Sequence, residues 1–332
     1  HMTEVTGITS VSVHLEDSDT VVAGTSVKGH IVIECKSTDT LKSLQIQVQG
    51  EERVATKNSS FSASNIFLLL NPPINFKPNL QEGTNLFTFE AEIPANICPS
   101  SIKKQSANGR TGLIEYSVLA MVESSQQSLE SKRIFFDVLE VFSSRLHPVS
   151  CENSLQGRMG GNTTATASIH LAQQAFAIGS SVDVTLKILS NKDVPHVILG
   201  LSKSVSLKEG ENTFHANQQV ARSVHPIKHA ANSTQERVCR LAIPKATEPS
   251  SYGTRASLQY HITATFHIAS LIPQELEVTI PVVMCHEKVY TLIPKENCEL
   301  KKEEFSVPKN AGEENADVQG LRLIPKTPIR GE

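Results

Sequence analysis

Apolar and polar side chains alternate with a period of two along most of the chain. The clearest runs are residues 11–15, 27–35, 44–48 and 87–93 in the first half, and 182–188, 258–268 and 276–282 in the second. Strict alternation is typical of strands that bury one face and expose the other, as in antiparallel sheets. Because no run keeps a helical period, the pattern predicts an all-β fold.

One motif occurs twice. An Ile-Pro pair followed by Pro-Ser-Ser occupies residues 93–101 and again residues 243–251, an offset of 150 residues. A strand anchored by an aromatic residue follows each copy, at Tyr116 and at Tyr260. Self-similarity on this scale indicates two related domains in tandem. Short strands between Gly and Pro turns favour sandwiches, so we predict two tandem antiparallel β-sandwich domains with a flexible C-terminal tail.

Composition sets the predicted domain boundaries. We assign residues 1–143 to the first sandwich and residues 167–294 to the second. The span 144–166 between them is rich in Ser, Gly, Thr and Asn and lacks alternation, which predicts a linker. Residues 295–332 are charged and poor in aromatic side chains, which predicts a polar tail. Within this tail, residues 321–325 are suited to add a strand to an exposed sheet edge.

Residues 64–70, Ser-Asn-Ile-Phe-Leu-Leu-Leu, form an apolar run that Pro72 and Pro73 terminate. A short strand is predicted here. Two interpretations stay open for its surroundings. The favoured one is an edge strand buried by its own domain, and the other is an exposed segment on which a partner docks.

The composition is that of a soluble globular protein, with 39% hydrophobic residues, 20% charged residues and a net charge of −3. This charge balance does not favour nucleic acid as a partner. No apolar run approaches the roughly 20 residues that a membrane-spanning helix needs. Six cysteines are scattered singly without a C-x-x-C pair, which predicts reduced, buried thiols in a cytoplasmic protein.

Sequence motifs of enzymes are absent. The chain has no phosphate loop, dinucleotide fingerprint, nucleophile elbow or H-E-x-x-H motif. His215, His225 and His229 are near enough in sequence to suggest a metal site, but a polar surface loop is the favoured interpretation. His261 and His267 lie on the wet face of a predicted strand. We therefore predict no enzyme activity, no catalytic residues, no cofactor and no metal.

A basic cluster follows the first Pro-Ser-Ser motif. Lys103, Lys104 and Arg110 lie in a loop that is six residues longer than its counterpart in the second half. These side chains are the candidate contacts for an anion, either a phosphorylated cargo tail or an anionic lipid headgroup. A solvated charged loop is the alternative interpretation and the favoured one.

The ordered set of motifs resembles the arrestin-like superfamily, including its alpha-arrestin or arrestin-domain-containing group. The resemblance rests on Phe87, Phe89, Ile93-Pro94, Pro99-Ser100-Ser101 and Gly112-x-Ile114-x-Tyr116-x-Val118-x-Ala120 in the first half, and on residues 168–171 and 176–179 in the second. It implies two arrestin-type β-sandwiches, N-like and then C-like. Receptor-regulating arrestins carry an arginine in the strand that opens the second domain, where this chain has Ser168 and His170.

The resemblance implies a non-enzymatic intracellular adaptor or scaffold that links membrane-protein cargo or receptor tails to trafficking or signalling machinery. Expected partners are cytoplasmic tails of membrane proteins or subunits of trafficking complexes, together with peripheral contact to an anionic endosomal or plasma membrane. One alternative is a structural subunit of an endosomal or Golgi complex, resembling retromer or a GTPase exchange factor. Another is a cell-surface adhesion module, suggested by sequons at Asn58, Asn162 and Asn232.

Overall fold

A computed structural model describes residues 7–16, 19–56, 62–98, 105–139, 147–156, 163–270 and 274–290. These residues form 21 strands and one short helix. The prediction of an all-β fold with two antiparallel sandwiches is confirmed. The predicted tail, residues 295–332, lies outside the described residues.

Eleven strands build the first sandwich in the described part of the chain. They are β1 (Ile8–Leu15), β2 (Thr20–Val22), β3 (Ser26–Cys35), β4 (Asp39–Thr56), β5 (Ser62–Leu70), β6 (Asn79–Leu80), β7 (Gly83–Glu92), β8 (Gln105–Ala107), β9 (Arg110–Ser124), β10 (Ser128–Glu130) and β11 (Ile134–Leu139). One sheet has the order β1-β3-β7. The facing sheet has the order β2-β11-β9-β4-β5, and the short strands β6, β8 and β10 pair with β4 or β9.

The second sandwich follows the same plan. Its strands are β12 (Val149–Gln156), β13 (Thr163–Leu171), β14 (Ala175–Ala177), β15 (Ser181–Ser190), β16 (Val194–Glu209), β17 (Asn212–His229), β18 (Ser233–Ala242), β19 (Ser251–Tyr252), β20 (Ala256–Ile268) and β21 (Gln274–Cys285), and the helix α1 (Glu287–Tyr290) follows them. The sheet orders are β12-β13-β15-β18 and β14-β21-β20-β16-β17.

The strand orders show that the two halves repeat one topology. The order β2-β11-β9-β4-β5 corresponds strand by strand to β14-β21-β20-β16-β17, and β1-β3-β7 corresponds to β13-β15-β18. Even the exceptional pairings recur, since β2 runs parallel to β11 and β14 runs parallel to β21. The repeated motif in the sequence therefore marks a repeated fold.

The structure differs from the linker expected at residues 144–166. β12 lies inside this span and pairs along its whole length with β13, whose first residues also lie there. Val149, Cys151 and Leu155 are half-buried on one face of β12, but Asn153 on the same face is exposed, so a polar residue interrupts the apolar alternation. Asn153 Nδ2 donates a hydrogen bond to the Glu277 carbonyl at 2.8 Å, which explains why an amide is accepted there.

Hydrogen bonds explain why the Ile-Pro motif recurs, whereas the first Pro-Ser-Ser copy lies outside the described residues. Each Ile-Pro pair follows the last residue of a strand, and the Ile93 and Ile243 amides donate to the Thr25 and Ser180 carbonyls at 2.9 and 2.8 Å. Proline cannot continue the ladder beyond that point. In the second copy, Ser250 is fully buried, and its hydroxyl accepts a hydrogen bond from the Met284 amide at 2.9 Å.

The core lies between the two sheets of each sandwich and is continuous from one sandwich to the other. Tyr116 and Tyr260 are its largest fully buried side chains. Phe67 of β5 and Phe136 of β11 pack against the Tyr116 ring at centroid distances of 5.6 and 5.7 Å. Aromatic residues thus tie β5, β9 and β11 together in the first sandwich.

Candidate functional site

The two sandwiches meet where the ends of β4, β8 and β9 face the β16–β17 hairpin and the turn between β19 and β20. We call this region the inter-sandwich contact. It comprises Glu52, Gln105, Arg110 and Gly112 from the first sandwich, and Lys203, Leu207, Glu209, Phe214, Glu248 and Gly253–Arg255 from the second.

Glu52 is the buried charge of this contact. Its side chain is on the inner face of β4, between Gly50 and Val54, and only 1% of the residue is exposed. Glu52 Oε1 accepts a hydrogen bond from the Thr254 amide at 2.8 Å. Glu52 Oε2 accepts one from Thr254 Oγ1 at 2.7 Å and one from the Arg255 amide at 3.1 Å. Such a buried carboxylate is acceptable because its oxygens are hydrogen-bonded.

Two glycines allow the sandwiches to approach this closely. A Cβ atom on Gly253 would lie 1.9 Å from Glu52 Oε1, and one on Gly112 would lie 2.2 Å from Leu207 Cδ2. Both distances are far below van der Waals contact, so a side chain at either position would force Glu52 or Leu207 of the other sandwich to move. The backbone itself forms part of the contact surface.

Arg110 connects the first sandwich to the β16–β17 hairpin. Its Nε donates a hydrogen bond to Glu209 Oε2 at 2.7 Å, and its guanidinium carbon lies 4.4 Å from the centroid of the Phe214 ring. The Arg110 and Glu209 side chains are 28% and 30% exposed, so this ion pair is partly screened by solvent.

A second polar group involves Gln105, Lys203 and Glu248. Lys203 Nζ lies 3.2 Å from Gln105 Oε1 and 3.3 Å from Glu248 Oε2, and Gln105 Nε2 donates to Glu248 Oε1 at 2.5 Å. The Gln105 amide therefore bridges an ion pair that belongs entirely to the second sandwich.

Two protein-family models match the chain. One, described as Arrestin (or S-antigen), N-terminal domain, matches residues 68–145, and the other, described as Arrestin (or S-antigen), C-terminal domain, matches residues 162–289. The chain belongs to the arrestin-like superfamily. A comparison with curated proteins finds no match. In the arrestin N-terminal sandwich, strands β1 to β4 precede the matched residues and complete the two sheets.

The predicted anion site is only partly described in this arrestin-family protein. Lys103 and Lys104 lie outside the described residues, so the expected cluster of three cations stays a prediction. Arg110 is described, and its guanidinium faces Glu209 and Phe214 of the C-terminal sandwich. An anion at Arg110 would therefore have to compete with Glu209.

The favoured interpretation of residues 64–70 is wrong for two side chains of β5. β5 is the outermost strand of its sheet in the described part of the chain, as expected of an edge strand. Leu68 is buried, but Ile66 and Leu69 are 53% and 52% exposed. No described residue range adds a strand to this edge, and the alternative of an exposed segment describes it better.

The histidines raised as metal ligands lie on strand β17, so the favoured interpretation of this segment as a surface loop is wrong. His229 is buried, with Nε2 2.7 Å from the Ser233 carbonyl, and His225 Nε2 lies 2.8 Å from Ser223 Oγ. Burial lowers the pKa of His225, and the Arg237 charge lowers it further. Within the described ranges, no group of three or more His, Cys, Asp or Glu residues could hold a metal ion.

The other two histidines lie on the outer face of β20. Burial lowers the pKa of His261. His267 stacks on His196 at a centroid distance of 4.5 Å, and its Nδ1 lies 3.2 Å from Glu275 Oε1. No helix in the described part of the chain is long and apolar enough to span a membrane.

The sequence analysis did not single out Glu52, although the alternating pattern of β4 places it at an inward position. Leu44, Ile46, Val48 and Val54 occupy the inward positions of β4, and Glu52 has the same parity. A carboxylate at an inward position must find hydrogen-bond donors inside the protein. The sequence could therefore have marked Glu52 as a buried charge, but it could not have placed the donors about 200 residues away.

Proposed function

We propose that this protein is a non-enzymatic adaptor of arrestin type. It binds the cytoplasmic tails of membrane-protein cargo and links them to trafficking or signalling machinery, at the cytoplasmic side of the endosomal or plasma membrane. The observation that carries the proposal is the edge of β5, with which no further strand pairs in the described part of the chain. This edge belongs to a protein with two arrestin domains.

An uncovered edge strand suits an extended peptide. Among the described strands, none pairs with the outer side of β5. A peptide that adds a strand there gains affinity through main-chain hydrogen bonds. Ile66 and Leu69 project beside them and offer apolar contacts that select among peptide sequences. Both features favour a cytoplasmic tail that is unstructured until it binds.

Proximity labelling in the native cell tests the proposal. The wild-type protein is expected to label membrane proteins with cytoplasmic tails, together with coat or ubiquitin-ligase components. Replacing Ile66 and Leu69 together by Arg should remove the membrane proteins from the labelled set. Peptides from the labelled tails should then bind the purified double variant more weakly, because both apolar contacts are lost. We expect the affinity to fall at least about 10-fold, which corresponds to about 1.4 kcal/mol of binding free energy.

Phe135→Arg is the matched control. Phe135 is 54% exposed on the same sheet, but it lies on β11, between β2 and β9 and not at the β5 edge. This variant should keep the wild-type labelling and peptide affinity. Equal losses in both variants would contradict a role of the β5 edge. Recovery of one stoichiometric assembly and no cargo would favour the structural-subunit alternative.

A further inference from the structure

The turn between β19 and β20 binds a carboxylate with three donors, and that carboxylate comes from the other sandwich. We propose that the turn Gly253–Arg255 is a carboxylate-binding site which Glu52 occupies while the sandwiches are in contact. An acidic side chain of a partner protein takes the place of Glu52 when the inter-sandwich contact opens. Contact between the sandwiches and binding of the partner carboxylate are therefore mutually exclusive.

The donors fit a carboxylate. Two successive backbone amides, of Thr254 and Arg255, and the Thr254 hydroxyl converge on the two oxygens at 2.7 to 3.1 Å. Successive amides of a turn form a concave anion site without needing a cationic side chain. A neutral donor set suits a monoanionic carboxylate better than a doubly charged phosphate group.

Gly253 keeps this site accessible. A Cβ atom at position 253 would lie only 1.9 Å from Glu52 Oε1, so any other residue would fill the space that the carboxylate occupies. Thr254 itself is exposed, so the turn lies at the rim of the contact, and it is Glu52 that covers its donors. A partner side chain has a short path to them once Glu52 withdraws.

Glu52 behaves as a ligand from outside the second sandwich. In the described part of the chain, the side-chain hydrogen bonds of Glu52 all go to Thr254 and Arg255, and none goes to its own sandwich. Withdrawal of Glu52 leaves the strand pairing of β4 with β9 intact. The ion pair that borders the contact, between Arg110 and Glu209, is partly exposed and therefore weak.

Replacing Glu52 by Ala removes the atoms of an acetate group, and sodium acetate is the probe. Acetate should raise the thermal unfolding temperature of Glu52→Ala by a few degrees relative to sodium chloride at equal ionic strength, because it binds only the folded state. In NMR spectra of this variant, the Thr254 and Arg255 amide signals should shift with saturation. Sodium phosphate should produce smaller shifts at these amides.

Wild type and Glu51→Ala are the controls. Glu52 fills the turn in both proteins, so acetate should not shift the Thr254 and Arg255 amide signals in either of them. Glu51 lies on the other face of β4 and pairs with Arg53 at 2.7 Å. Amide hydrogen exchange at Gly112 should be faster in Glu52→Ala than in Glu51→Ala, because the contact opposite Leu207 opens more often.

Three results would overturn the proposal. One is an equal acetate-induced shift of the Thr254 and Arg255 amides in all three proteins. Another is the absence of any shift of these amides in a folded Glu52→Ala protein, and the third is unchanged exchange at Gly112. If Glu52→Ala does not fold, Glu52→Gln keeps the shape of the side chain and decides the same question. Acetate should then displace the introduced side-chain amide and shift the two backbone signals, and their failure to move would reject the site.

Discussion

Tyr116 and Tyr260 occupy equivalent positions in the two sandwiches, yet their hydroxyl groups differ. The Tyr116 hydroxyl donates to the Cys98 carbonyl. The Tyr260 hydroxyl has no partner of good hydrogen-bond geometry among the described residues. The backbone at Glu248, which corresponds to Cys98 in the first sandwich, lies close to it. Burial raises the pKa of Tyr260, and the Glu248 carboxylate raises it further. The repeat conserves the ring as a core anchor and changes the use of its polar atom.

Replacing each tyrosine by Phe should separate the ring from the hydroxyl. Tyr116→Phe should lower the free energy of unfolding by about 1 kcal/mol, because it removes a buried hydrogen bond and leaves the Cys98 carbonyl without this donor. Tyr260→Phe should cost less, since no well-formed bond is lost. Chemical denaturation of both variants gives the comparison, and a larger loss for Tyr260→Phe would contradict it.

At the scale of strands, the alternation was sufficient to predict both sandwiches, because each inward position is apolar and each outward position polar in most elements. It failed where a local irregularity breaks the period. Asn153 hides the strand character of β12. In β5, a bulge opposite Gly50 and Glu51 shifts the register, so Ile66 and Leu69 are both exposed although they are three residues apart. A period of two cannot reveal a bulge that depends on the partner strand.

Glycines inside strands give a prediction at the same scale. Gly112→Ala should destabilise the protein by about 1–3 kcal/mol, because the added Cβ overpacks the buried Leu207 side chain. Gly200→Ala in β16 is the matched control. Its Cβ would find its nearest neighbour at 3.4 Å, which is ordinary contact, so the change should be neutral or stabilising by up to about 1 kcal/mol. Thermal unfolding of both variants tests this, and equal effects would show that Gly112 is not confined.

For the whole molecule, the sequence predicted two halves but not how they touch. The residues of the inter-sandwich contact are far apart in the chain and follow no shared motif, so no local pattern links Arg110 to Glu209 or Glu52 to Thr254. Its polar character also distinguishes it from the apolar core between the sheets of each sandwich. Ion pairs, amides and a buried carboxylate surround a small apolar patch at Gly112, Leu207 and Ala256.

A double-mutant cycle on Arg110 and Glu209 should measure the strength of this contact. Ala substitutions, singly and together, are expected to give a coupling energy of about 0.2–1 kcal/mol, since the pair is partly solvated. The coupling should decrease as sodium chloride is raised, because salt screens exposed charges. The Arg240–Asp183 pair, with side chains 69% and 54% exposed, is the control and should couple more weakly. A stronger coupling for the control would contradict the expected order.

The parallel pairing of β2 with β11 has a consequence for biosynthesis. β2 begins at Thr20, but its partner ends at Leu139, and β14 in the same way pairs with a segment that ends at Cys285. A nascent chain therefore carries each early strand unpaired until nearly the whole domain has left the ribosome. Contacts of such long range form late and slowly, which exposes the growing chain to aggregation. We expect translation to be the stage at which this protein depends most on chaperones.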